Sequence, residues 1–258
     1  MRGYDRTSTP FMVASLTFHR LKEGGDWLTF DVTASHGTFV FDKPAGAERA
    51  LIYLPDGKKE RPNYVIRGKR RSVFDFYFEQ EGTHKVELEY EPMYITSYKA
   101  GKRDTAKRMR ANKLERVDKL PESARDASTM MMVKSALSYI TVGKPTETVF
   151  KMDGKLLEFK PITHPADIVE QEPVTFQFYF NGKPQQGVKA EITRDGTLYR
   201  NQQEQIDVVS NDKGEITFTP EHAGRYLMKA SYKGKLTDNA MADSAMNMMS
   251  VSFEAVLQ

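Results

Sequence analysis

The most constraining stretch of this 258-residue chain is a run in which phenylalanine takes every second place. Between Val174 and Asn181, Phe176, Phe178 and Phe180 alternate with Thr175, Gln177 and Tyr179. After the loop Gly182-Lys183-Pro184-Gln185-Gln186-Gly187, the residues Val188, Ala190 and Ile192 alternate in the same way with Lys189, Glu191 and Thr193. Successive side chains of a strand point to opposite faces, so a period of two is what a half-buried strand requires. The spacing predicts an antiparallel strand pair with a phenylalanine-rich inner face.

Similar signals recur along most of the chain. In residues 10 to 95, Leu28, Phe30 and Val32 alternate with Thr29, Asp31 and Thr33, Thr38 to Phe41 is short and apolar, and Ala50 to Leu54 runs into the turn Pro55-Asp56-Gly57. Further strands are expected at Tyr64 to Ile66, Val73 to Phe78, Lys85 to Glu91 and Thr129 to Val142. From Leu156 onward seven more are separated by turns such as Asp195-Gly196 and Asn211-Asp212-Lys213-Gly214, whose glycines suit a positive φ. Strands spaced by roughly 8 to 12 residues with turn signals between them point to sandwiches.

An internal echo argues for two of them. Phe74-x-Phe76, Glu79, Gly82, His84, Val86, Leu88, Tyr90 has the spacing of Ile216-x-Phe218, Glu221, Gly224, Tyr226, Met228, Ala230, Tyr232. A Gly-x-Tyr leading into a late strand resembles the tyrosine corner of sandwich folds, with His84 in the tyrosine's place in the first copy. The fold class expected is therefore mainly all-β, two immunoglobulin-like or transthyretin-like β-sandwiches. The first spans 1–154 and the second 155–258.

Between Tyr98 and Ala127 the character changes: from Lys99 to Lys119 nine lysines and arginines face Asp104, Glu115 and Asp118, and β-branched residues nearly vanish. The pattern predicts a basic helix over Thr105 to Leu120, stopped by Pro121, as a linker or insertion near 100–126. Its apolar stripe, Met109, Leu114 and Val117, is thin.

A net charge of +3 is too balanced to argue for nucleic acid, and the basic runs lack the stacked aromatics of a single-strand binder. No apolar run reaches membrane-spanning length. Cysteine is absent, which removes disulfides, thiolate metal sites and cysteine nucleophiles together. Met1 to Arg6 has neither the apolar core nor the cleavage site of a secretion signal. The sequence carries no Gly-x-Ser-x-Gly elbow, phosphate loop or His-Glu-x-x-His, so no catalytic residue is assigned and a non-enzymatic role is expected.

Turn motifs along the chain carry a family likeness. Trp27-x-Thr29-Phe30-Asp31, Pro55-Asp56-Gly57, Arg71-Ser72-Val73-Phe74-Asp75, Gly143-Lys144-Pro145-Thr146, Thr163-His164-Pro165-Ala166-Asp167-Ile168, Gly196-Thr197-x-Tyr199-Arg200 and Ala223-Gly224-x-Tyr226 closely resemble the bacterial export family called domain of unknown function 4198. The resemblance implies a periplasmic, nickel-uptake-like protein whose relatives accompany TonB-dependent receptors in metal (nickel, iron) or siderophore import. It implies as partners a metal ion or metallophore and a TonB-dependent receptor or an inner-membrane transport protein. Periplasmic localisation rests on this resemblance alone.

Five histidines, His19, His36, His84, His164 and His222, include no pair at i, i+2 or i, i+4. The candidate metal ligands are His164 and Asp167, which suit a borderline transition metal with a third donor from elsewhere. The plainer reading is a turn in which Pro165 fixes the bend and Asp167 caps it. Methionines cluster at Met130-Met131-Met132 and at Met241, Met246, Met248 and Met249. Thioethers suit Cu(I), whereas alternate strand residues facing a core explain the same pattern without a metal. The basic run Arg67-x-Lys69-Arg70-Arg71 reads as a phosphate-, siderophore- or lipid-attracting patch or as a solvated face. The function expected is a non-enzymatic periplasmic binding or accessory protein in metal or metallophore uptake. The alternative is a structural or adhesive sandwich module acting through protein contacts.

Overall fold

The computed structural model describes residues 9–14 and 20–258. Met1 to Arg6 and His19 lie outside them. In the first half the strands are β1 (Thr9–Ala14), β2 (Asp26–Ser35), β3 (Ala50–Tyr53), β4 (Val65–Arg67), β5 (Ser72–Phe78) and β6 (Gly82–Glu89). Three more follow: β7 (Met93–Ala100), β8 (Thr105–Met109) and the long β9 (Arg125–Val142). The second half holds β10 (Leu157–Pro161), β11 (Val174–Phe180), β12 (Lys189–Arg194) and β13 (Ile206–Val209), then β14 (Glu215–Phe218), β15 (Gly224–Lys235) and β16 (Ser244–Ala255). Several two-residue strands complete the sheets.

The alternation read from the sequence holds. Val174, Phe176, Phe178 and Phe180 of β11 are buried while the residues between them are half-buried. β11 lies between β10 and β14 in one small sheet, which covers β12, β15 and β16 over a core that includes Phe159, Phe253 and Met228. In the first half, β1, β2, β5 and β4 form the covering sheet over β3, β6 and the end of β9, with Phe30 and Phe74 stacked 4.9 Å apart.

β9 belongs to both cores. Its Ala136, Ile140 and Val142 enter the first, and its Leu137 and Tyr139 enter the second. One edge of β9 pairs with β7 and then β6, while the other pairs in parallel with β16, Met130 facing Ser244 through to Ser138 facing Ser252. The two cores thereby lie against one continuous 11-stranded sheet.

The basic helix expected over Thr105 to Leu120 is not formed. Its first third is β8, which pairs with β7 across a turn containing Gly101 and Asp104, both at positive φ. Only Arg116–Lys119 is helical (α1). Four of the five β8 residues are exposed, so the strand buries no face and shows no period of two. Its lysine and arginine side chains suit an edge strand, because charge discourages pairing with another chain. Thr38 to Phe41 also departs from the strand expected there: Phe39 has φ 55° and packs edge-on against Phe11 at 6.0 Å.

A candidate cleft between the two cores

His164 is held by hydrogen bonds on both ring nitrogens. It precedes a single turn of 3-10 helix, Pro165–Asp167, and its Nδ1 accepts the Ala166 N–H at 3.0 Å. That leaves Nε2 as the protonated nitrogen, 3.0 Å from Thr83 Oγ1 on β6. The ring also lies 5.3 Å from that of Phe150. Thr83 in turn exchanges two hydrogen bonds with Thr146, so His164 ties the chain after β10 to β6 and to the segment after β9. Asp167 is exposed, and its N–H bonds the His164 carbonyl at 2.9 Å. Among the described residues no three His, Asp or Glu side chains are grouped as a metal would need.

The methionines divide by face. Met131 and Met249 are buried on the side of the second core. Met93, Met132 and Met246 are register partners across β7, β9 and β16, which puts them side by side on the opposite, half-exposed face. The basic runs are largely spent within the fold. Arg70 Nε donates to the Phe41 carbonyl at 2.6 Å, and Arg71 pairs with Asp31 at 3.1 Å. Lys113 and Arg116 each lie 3.2 Å from Asp243. Burial raises the Asp243 pKa, but the Thr129 N–H and these two cations outweigh it and hold the carboxyl below the usual carboxylate range.

A cleft of about 500 Å³ opens where the two cores meet. Its geometry follows from the period of two: Val86 and Leu88 of β6 go into the first core, so Lys85, Glu87 and Glu89 are turned outward, beside Tyr53 of β3. Tyr139 of β9, Phe150 and Phe159 form the facing wall. Lys85 and Glu87 pair at 2.8 Å with side chains only 15% and 12% exposed. The Lys85 and Lys59 ammonium groups sit 4.0 and 4.6 Å from the Tyr53 ring centre. A phenol ring flanked by two ammonium groups is a strong cation–π arrangement when partly desolvated.

The cleft shifts its own titrating groups. Burial, reinforced by Glu87, drives the Tyr53 phenol well above its ordinary pKa, and burial does the same to Tyr139. Burial and the Glu87 charge raise Glu89. A wall bearing both signs of charge beside aromatic rings suits a ligand with polar and apolar parts, which is the usual make-up of a small-molecule site. Tyr53, Lys85, Glu87 and Glu89 belong to no sequence motif. The available signal was the alternation of Lys85, Glu87 and Glu89 with Val86 and Leu88, which marks a strand whose second face is charged.

No curated protein matches the chain in sequence. Among solved structures, the fibronectin(III)-like modules of Clostridium thermocellum CbhA are 10% identical, with 95% of this chain and 94% of theirs covered and a TM-score of 0.23. The D0-D1 domain of intimin is 12% identical with 94% and 96% covered at 0.22, and a DUF3823 family protein from Bacteroides uniformis is 10% identical with 97% and 100% covered at 0.24. Likenesses this slight leave the fold to rest on the sheets themselves. The family model for the domain of unknown function DUF4198 matches residues 13–234, and the chain belongs to that family.

Proposed function

We propose that this protein is a non-enzymatic binding or accessory protein of metal or metallophore uptake in the periplasm, with its ligand in the cleft between the two cores. The observation that carries the reading is the half-buried Lys85–Glu87 pair beside Tyr53. The pair presents both signs of charge beside the Tyr53 ring, so the polar and the apolar parts of a ligand both find partners there. A chelate that presents both charge and an apolar ring fits such a wall. Family likeness supplies the metal and transport context, including a TonB-dependent receptor or inner-membrane partner.

A metal site at His164 and Asp167, which lie outside the lining of the cleft, is a separate form of the proposal. Ligation through either imidazole nitrogen displaces a hydrogen bond, to Ala166 or to Thr83, so metal binding there is coupled to the junction between the sandwiches. Neutral imidazole is the ligand, so protons compete with the metal and affinity falls in acid. The test is native mass spectrometry of the protein purified from its own cells, followed by calorimetry with Ni(II), Cu(II), Zn(II) and Fe(III) citrate at pH 7.5 and 5.5. Wild type is expected to carry a bound mass that Glu87→Gln loses, and His164→Ala is expected to lose the pH-dependent metal isotherm. No bound mass and no saturable isotherm overturn the uptake reading.

The adhesive or structural alternative has its own supporting observation. Leu198 and Tyr199 stand 76% and 91% exposed on a loop that Arg200 pins through the Asp195, Arg194 and Gln203 carbonyls. An apolar tip on an anchored loop suits a protein contact, and loss of capture of a partner by Tyr199→Ser distinguishes this reading from a ligand-binding one.

A further inference from the structure

Away from the cleft, on the half-exposed methionine face of the shared sheet, lies a second pocket of about 340 Å³. Its floor is apolar: Met93 of β7 and Met132 of β9 are register partners, and Ala34, Pro44 and Ala45 close it from the covering sheet. Its rim is cationic, with Arg49, Arg67, Arg110 and Lys134 set against Glu48 and Glu91. Glu91 is already spent on Arg49, 3.3 Å away. Arg67 ends β4 and Arg110 follows β8, and neither guanidinium has a hydrogen bond or ion pair with a described residue. A shallower hollow that shares Pro44 and Arg67 adds Lys69 to the same rim.

We propose that this pocket binds an apolar carboxylate, with an aromatic ring on Met93 and Met132 and its carboxylate on Arg67 and Arg110. Each half of the ligand has a physical reason. Guanidinium matches a carboxylate with two parallel N–H donors, and Arg67 and Arg110 are the rim arginines not already paired. Thioethers contact aromatic rings favourably and adapt to ligand shape, which an aryl group exploits better than a small hydrated ion does. Inorganic phosphate matches the rim but leaves the floor uncovered. The basic run read from Arg67 to Arg71 thereby divides by role: Arg70 and Arg71 hold the covering sheet together, and Arg67 is left for a ligand.

The test is titration of the full chain with 1-naphthoate at pH 7.5 and low salt. Neutral 1-naphthalenemethanol, decanoate and inorganic phosphate run alongside. The expected result is one saturable naphthoate site, weakened at least tenfold in the Arg67→Gln/Arg110→Gln variant, and naphthalenemethanol binding at least tenfold more weakly than naphthoate. Both arginines are exposed, so the variant should melt with wild type. Met132→Asp should also weaken naphthoate, whereas Glu87→Gln in the cleft between the cores should leave it unchanged, which separates this site from the one proposed above. No saturable binding, equal binding by the double variant or by the neutral analogue, or competition by phosphate as strong as by naphthoate overturns the proposal. Decanoate binding more tightly than naphthoate overturns the aromatic assignment.

Discussion

The strands that begin at Gly82 and Gly224 start alike and are finished differently. Both glycines have positive φ, 123° and 138°, and both are followed two residues later by a buried ring, His84 or Tyr226. Tyr226 reaches back to donate to the His222 carbonyl at 2.6 Å, completing a tyrosine corner. The shorter imidazole of His84 stays inside the first sandwich, edge-on to Phe78 at 5.1 Å and near the backbone of Gly82 and Ile140. Burial lowers its pKa to about 4. The same backbone pattern thus yields a pH-indifferent corner in one sandwich and an acid-sensitive one in the other.

The largest effect is expected from the cores themselves: Phe178→Ala and Phe30→Ala, both at fully buried positions, should each cost about 3–5 kcal/mol in urea unfolding. Because β9 seals both cores, each variant should lower the midpoint of one shared transition. Two separate transitions, each moved by only one variant, would show that the sandwiches unfold independently.

Next comes acid. The folded-state pKa of His84 lies below the unfolded value near 6.5, so the unfolded chain takes up a proton that the native one refuses. Stability is therefore whole above about pH 6.5 and is lost as pH falls towards 4, by about 2–3 kcal/mol for a shift of this size. His84→Leu should abolish that part of the difference between urea midpoints at pH 7.5 and 4.5, and Tyr226→Phe should leave it intact. An unchanged difference in His84→Leu counts against a buried neutral imidazole.

The two glycines should respond unequally to alanine. Both substitutions force a side chain into an unfavourable φ, worth about 1–3 kcal/mol. At Gly82 the new Cβ would also meet the Pro55 side chain at 2.7 Å, whereas at Gly224 its nearest neighbour is the flexible Arg194 side chain at 3.6 Å. Thermal melts should show the larger loss for Gly82→Ala. Smallest of all, Tyr226→Phe removes one hydrogen bond and should cost about 0.5–1.5 kcal/mol by the same measurement.

What was readable in advance follows the same division. Phe176, Phe178 and Phe180 betray their strand because one face is buried and the other is not. Thr105 to Met109 concealed theirs because neither face is buried, and a basic edge strand then has the composition of a solvated helix. The unbroken run Ala136 to Val142, every residue of it buried, is the converse signal, a strand covered on both sides. His164 stood out in its motif as a ligand or a turn former, but its bond to Thr83 joins residues 81 positions apart, which no local pattern encodes.

Alternation, turn glycines and aromatic spacing act over a few residues, and they suffice to mark this chain as a β protein with a repeated glycine-led strand. Long-range packing sets the rest: β16 lies parallel to β9 and merges the inner sheets, charged β6 faces a cleft, and Arg67 and Arg110 share a pocket. Those arrangements bring together residues far apart in the chain, and burial of both faces of β9 rather than any local preference selects them.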